Sequence, residues 1–148
     1  MNIILASNSP RRTQILTLAQ IYHQVVPSAC EETIAQNLEP YEVVESLSYQ
    51  KAADVAKKYP DDIIIGADTI VVIDNVILGK PQDAAAAKAM LQCLSGRTHQ
   101  VITGVAVRYK GQQLSKVCVT DVSFRQLTAE EIDAYIATGE PMDKAGAY

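Results

Sequence analysis

Asp61-Asp62-Ile63-Ile64-Ile65-Gly66-Ala67-Asp68-Thr69 is the most informative stretch of this chain. Three consecutive isoleucines with no polar interruption mark a strand buried on both faces, the habit of parallel sheets covered by helices. The strand is expected to end at Gly66-Ala67-Asp68-Thr69. That would leave the Asp68 carboxylate at the end of a central strand, where α/β folds place their ligands. An aspartate at a strand end also serves as a turn or helix cap, so the residues alone leave two readings of Asp68 open.

Upstream, Asn2 to Ala6 reads as a first strand that breaks at Ser7-Asn8-Ser9-Pro10. Ser9 suits a helix N-cap and Pro10 the first helical position, so a strand feeds directly into a helix. That helix is expected to turn Ile15, Leu16, Leu18 and Ala19 inward, before Tyr22 to Val26 resumes a strand-like alternation. Residues 27–40 form a polar stretch long for a compact domain, a candidate lid. From Tyr41 to Lys58 the row 44, 47, 51, 55 has helical spacing, with Lys51 where an apolar residue is expected.

Downstream, Ile70–Ile73 and Val76–Leu78 flank Asp74-Asn75, a hairpin turn, and Gly79-Lys80-Pro81 closes it. An alanine-rich helix runs from Asp83 to Leu94 and stops at Ser95-Gly96. Strands follow at about 100–108 and 114–124 around Lys110-Gly111, making the second half of the sheet antiparallel. Thr128-Ala129-Glu130-Glu131 is a capping box for a helix reaching Thr138. The pattern predicts one α/β domain over residues 1–148, a mixed twisted sheet flanked by helices.

The 148 residues are 48% hydrophobic and 20% charged, the profile of a soluble globular domain. Thirteen Lys and Arg against seventeen Asp and Glu give a net charge of −4, which argues against nucleic acid as a partner. Cys30, Cys93 and Cys118 are widely spaced without a C-x-x-C, so neither a disulfide framework nor a zinc knuckle is indicated and a cytoplasmic location fits. No apolar run approaches a membrane span, and the N-terminus lacks the basic start of a signal peptide.

Ser7-Asn8-Ser9-Pro10-Arg11-Arg12 sets two hydroxyls and two guanidinium groups at a strand-to-helix junction, where free N–H groups favour an anion. It reads either as a phosphate cradle or as an ordinary helix start with surface arginines. No G-x-x-x-x-G-K-[ST] is present, so a P-loop is excluded. Lys51 is either a functional cation or a snorkelling side chain. Glu31 and Glu32, with Asp68, would suit a hard divalent cation; a solvated acidic loop is the alternative. His23 and His99 show no H-E-x-x-H, which disfavours zinc, and His99 reads as a polar pocket group. No G-x-S-x-G elbow occurs.

Five stretches taken together, Ser7 to Arg12, Gly66 to Thr69, Leu78 to Pro81, Leu94 to Gly104 and Glu140 to Tyr148, closely resemble the Maf family, in the family's order. The resemblance implies the inosine triphosphatase-like α/β fold and hydrolysis of a nucleoside triphosphate between its α and β phosphates, with Mg²⁺ or Mn²⁺ as cofactor. It implies that Asp68 is the proton acceptor, that Lys51 and Lys80 are pocket lysines, and that Glu32 and Asp68 serve the metal. Arg12 and Thr69 match positions linked to base selection, and Ser7, Ser9, Arg11, His99 and Lys144 complete the substrate-binding set. Threonine after the aspartate resembles the branch acting on dTTP and UTP, whereas the 7-methyl-GTP branch usually carries Asp-Gln. The family has also been linked to septum formation, so a nucleotide-binding regulator without turnover is the alternative, and a homodimer is a family expectation. Family members continue past Ala-Gly-Ala-Tyr. A C-terminally short chain is therefore expected, with weaker substrate selection and lower stability.

Overall fold

A computed structural model describes residues 1–148. The chain forms two compact units, one of Met1–Asp68 with Thr103–Cys118, the other of Thr69–Ile102 with Val119–Tyr148. The strands are β1 (Ile3–Leu5), β2 (Gln24–Val25), β3 (Ile63–Ile73), β4 (Val76–Leu78), β5 (Thr98–Tyr109) and β6 (Gln112–Ser123). The helices are α1 (Pro10–Leu18), α2 (Pro40–Ala56), α3 (Ala84–Leu94) and α4 (Ala129–Ala137). The six strands form one mixed sheet in the order β2-β1-β3-β5-β6, with β4 paired to β3. The expected mixed α/β architecture is what the chain adopts.

In the first unit β1 pairs parallel with both β2 and β3, Ile4 opposite Gln24 and Ile64. Ile4, Ala6, Ile64 and Ala106 of the sheet pack with Ala52 and Val55 of α2. Two glycines let α2 lie close on the strands. A Cβ on Gly66 would strike Ser48 O and Ala52 N, and one on Gly104 would come within 2.5 Å of Val44 O.

The expected inward face of α1 is not observed, since the helix buries no residue and Ile15 and Leu18 are 64% and 83% exposed. Arg12, Thr13 and Leu16 are its half-buried positions, so the helix turns the guanidinium side inward and leaves Ile15, Leu18 and Ala19 outside. The expected strand end at Gly66 is also overturned. β3 runs on for eleven residues to Ile73, carried past Asp68 by the β-branched run Thr69, Ile70, Val71, Val72 and Ile73.

In the second unit β3 turns back into β4 at Asp74-Asn75, both with positive φ, 50° and 62°. This is the primed turn that suits strand twist, and it pairs Ile73 with Val76. Asp83 caps α3 by accepting from Ala86 N at 2.7 Å, and Thr128 and Glu131 form the anticipated capping box of α4. Ala87 and Leu91 of α3 meet Ile132 of α4 and Ala147 in one apolar cluster. No helix is long and apolar enough to cross a membrane.

Candidate active site

Strand alternation builds the site of the first unit. Ile64, Gly66 and Asp68 fall on one face of β3, since side chains two apart share a face. Ile64 and Gly66 meet α2, so Asp68 is carried toward the same helix. There Lys51 Nζ donates to Asp68 Oδ1 at 2.5 Å and lies 3.1 Å from Glu32 Oε1. The lysine and aspartate side chains are only 15% and 13% exposed, so Lys51 is turned inward and paired rather than snorkelling to water.

Glu32 reaches this point because the 27–39 loop is pinned to α2. Asp54 Oδ2 accepts from Ser28 Oγ and Ala29 N, both at 3.0 Å, and Gln50 exchanges hydrogen bonds with Thr33 N and O at 3.0 and 2.7 Å. The loop expected as a lid is thus moored at two places. Asp54 is held below the usual carboxylate range, first by the Ala29 N–H and then by the Ser28 hydroxyl.

Arg12 joins the ends of two strands. One guanidinium nitrogen donates to Ser7 Oγ at 3.0 Å and to the Ala67 carbonyl at 2.9 Å, next to Asp68. Burial pulls the Arg12 guanidinium below its ordinary pKa, the attraction of Asp68 opposes the fall, and Arg11 adds to it. Ser7 is itself buried and accepts from Ser9 N at 3.2 Å. The Ser9 side chain makes no capping bond to α1, and no acid sits in that helix's first turn. The first turn of α1 therefore carries no acid of its own against the helix's positive end. Arg11 is exposed on the same turn.

Ser7, Arg12, Glu32, Lys51 and Asp68 are thus brought together in the first unit. The second unit holds Thr69, Lys80, His99 and Lys144. Lys80 is exposed and forms no salt bridge, whereas Lys144 donates to Glu140 O at 2.6 Å and faces Asp143 Oδ1 at 3.2 Å. His99 is 2% exposed, its Nε2 2.6 Å from the Tyr148 hydroxyl and its ring edge-on to Phe124 and Tyr148. Its Nδ1 is buried with no hydrogen-bond partner. The sequence reading missed Tyr148, Asp54 and Gln50 as organising residues. Only the proximity of Tyr148 to the Ala-Gly-Ala segment offered a signal.

Burial lowers the His99 pKa, so the unfolded chain takes up a proton that the folded ring resists. Stability from this residue is complete above the unfolded value of about 6.5 and is lost as pH falls below it. The melting temperature is expected to drop as pH is lowered from about 7 to about 5.5. His99→Gln should flatten that slope, and an unchanged slope would exclude His99 as its source.

The donor set bears on metal. No group of three or more His, Cys, Asp or Glu is gathered anywhere in the chain. Two carboxylates, Glu32 and Asp68, do converge on one point, marked by the Lys51 ammonium. That pair fits Mg²⁺ or Mn²⁺, which takes one or two protein carboxylates and completes its shell with water and substrate phosphates.

A family model described as Maf-like protein matches residues 2–148. A dTTP/UTP pyrophosphatase of Bacillus cytotoxicus is 54% identical over 145 residues, covering 98% of this chain and 76% of that protein. A dTTP/UTP pyrophosphatase of Bacillus cereus is 53% identical, covering 99% of this chain and 72% of that protein. Among solved structures, the Staphylococcus aureus Ham1 protein aligns with a TM-score of 0.51 at 14% identity, over 82% of this chain and 70% of that one, a likeness of fold.

Proposed function

This chain belongs to the Maf-like protein family, and we propose that its hydrolysis of dTTP and UTP to the nucleoside monophosphate and pyrophosphate is carried by Asp68 set against Lys51. The observation behind this reading is the Lys51 ammonium bonded to Asp68 and Glu32 on the face of β3 that meets α2. Water attacks the α-phosphorus, the bond to the bridging oxygen breaks, and pyrophosphate leaves. With Oδ1 taken by Lys51, we assign Oδ2 of Asp68 as the acceptor of the water's proton. Lys51 orients the carboxylate and keeps a cation beside the phosphates.

The Ser9 hydroxyl, the first-turn N–H groups of α1 and the guanidinium groups of Arg11 and Arg12 are suited to the phosphate chain. Arg12, fixed by Ser7 and Ala67, is a rigid fork rather than a mobile charge. In the second unit, the family resemblance assigns Lys80 to phosphate and Thr69 to selection of the base. A divalent cation on Glu32 and Asp68, once bound, would neutralise phosphate charge as it builds. The three free thiols, Cys30, Cys93 and Cys118, are compatible with the reducing cytoplasm as its location.

Pyrophosphate release measured with Mg²⁺ or Mn²⁺ is expected from dTTP and UTP and not from 7-methyl-GTP. Turnover of 7-methyl-GTP at a comparable rate would overturn the assignment to the pyrimidine branch.

A further inference from the structure

On the side of α2 away from Lys51, the first unit holds a cavity of about 390 Å³. Tyr49, Ala53 and Ala56 line it from the helix, spaced i, i+4, i+7 along one face. Lys51 lies two residues from Tyr49, about 200° around the cylinder, and therefore faces the other way. The opposite wall is the turn between β5 and β6, where Lys110 and Gly111 both adopt positive φ, 46° and 78°. That two-residue turn brings Lys110 to the cavity beside Arg108 and Tyr109.

The lining is unusual for a protein of charge −4. Lys57, Arg108 and Lys110 meet there, and none of them forms a salt bridge. Its one carboxylate, Asp62, accepts from the Asn2 backbone N–H at 2.7 Å and leaves the cations in excess, three against one. Two of the cations lie over aromatic rings, Arg108 5.6 Å from the centre of Tyr49 and Lys110 5.4 Å from that of Tyr109. The volume falls in the range of small-molecule sites. Aromatic and alanine walls accept a planar base, and an excess of cations over carboxylates accepts a phosphate. Three cations gathered around one half-open cavity suit a single phosphate on a small molecule better than a tracked polynucleotide backbone.

We propose that this cavity is a second, non-catalytic nucleotide site that takes a nucleoside monophosphate. The choice of ligand rests on the pyrophosphatase reading, because a nucleoside monophosphate is the product the chain releases. The site then reports product level to α2, the helix that also carries Lys51.

The test is calorimetric titration of the full chain with UMP, beside the double variant Arg108→Glu/Lys110→Glu and, separately, Arg12→Ala. Two binding events are expected in the unaltered chain. The double variant should lose one of them, weakened at least about tenfold by removal of charge-assisted contacts, and should keep its dTTP turnover without added UMP. Arg12→Ala should lose the other. The absence of any Arg108-sensitive event, or two events surviving in the double variant, overturns the proposal. So does a single-stranded oligonucleotide that outcompetes UMP at the Arg108-sensitive site. If the Arg12-sensitive event is absent while the Arg108-sensitive one persists, the second site stands and the catalytic assignment falls.

Discussion

Asp68→Asn is expected to lower the turnover of dTTP by at least about 100-fold, the lower end of what a positioned general base contributes. The substitution keeps the shape of the side chain and retains an oxygen that can accept from Lys51 Nζ, now 2.5 Å from Asp68 Oδ1. The fold therefore has little reason to change, and the melting temperature should stay close to that of the unaltered chain. What the amide removes is the negative charge and the capacity to take the water's proton. The loss should fall on kcat, with KM changing much less, because Arg11, Arg12 and the α1 N-terminus remain to bind phosphate. Pyrophosphate release under saturating dTTP separates the cases. Turnover within a few-fold of normal in a folded Asp68→Asn protein would sink the proton-acceptor role and leave Asp68 as a partner that only orders Lys51.

The parts of this site that were legible in the sequence are those written by local pattern. Lys51 on an otherwise apolar helical row announces a buried cation, and a buried cation requires a partner. The Asp74-Asn75 hairpin and the Thr128 capping box follow from residue preferences within four positions, and both form as expected. The sequence pattern puts Asp68 at a strand end, and the structure corrects that position. It lies inside β3, not at its end, and its position opposite Lys51 is set by the approach of α2 over Gly66. That approach joins residues far apart in the chain, which no local window records. Asp54 and Gln50 moor the 27–39 loop, yet in sequence they look like ordinary polar residues of a solvated helix face. The same limit applies to α1, whose Ile15 and Leu18 are apolar but exposed.

The dependence of the site on that close approach gives the second large expected effect. Gly66→Ala places a Cβ against Ser48 O and 2.8 Å from Ala52 N. Both obstacles are backbone atoms in the middle of α2, so neither can rotate away as a side-chain tip would, and the helix must shift as a body. Overpacking of this kind costs up to about 3 kcal/mol, occasionally more. For a chain of this size that corresponds to a fall of about 10 °C in melting temperature. Gly79→Ala is the matched control, since a Cβ there meets nothing within 4 Å and should leave the melting temperature unchanged. A drop of less than about 2 °C for Gly66→Ala would show that α2 yields easily, and the packing argument would fail. Activity carries the argument further. Lys51 lies on the turn of α2 between Ser48 and Ala52, so moving that turn off β3 lengthens its bond to Asp68. The protein that remains folded at low temperature should therefore turn over dTTP more slowly per folded molecule, with no catalytic residue altered. If instead activity falls only in step with the folded fraction, Gly66 serves the core alone and the Lys51–Asp68 distance is set by something other than the seat of the helix.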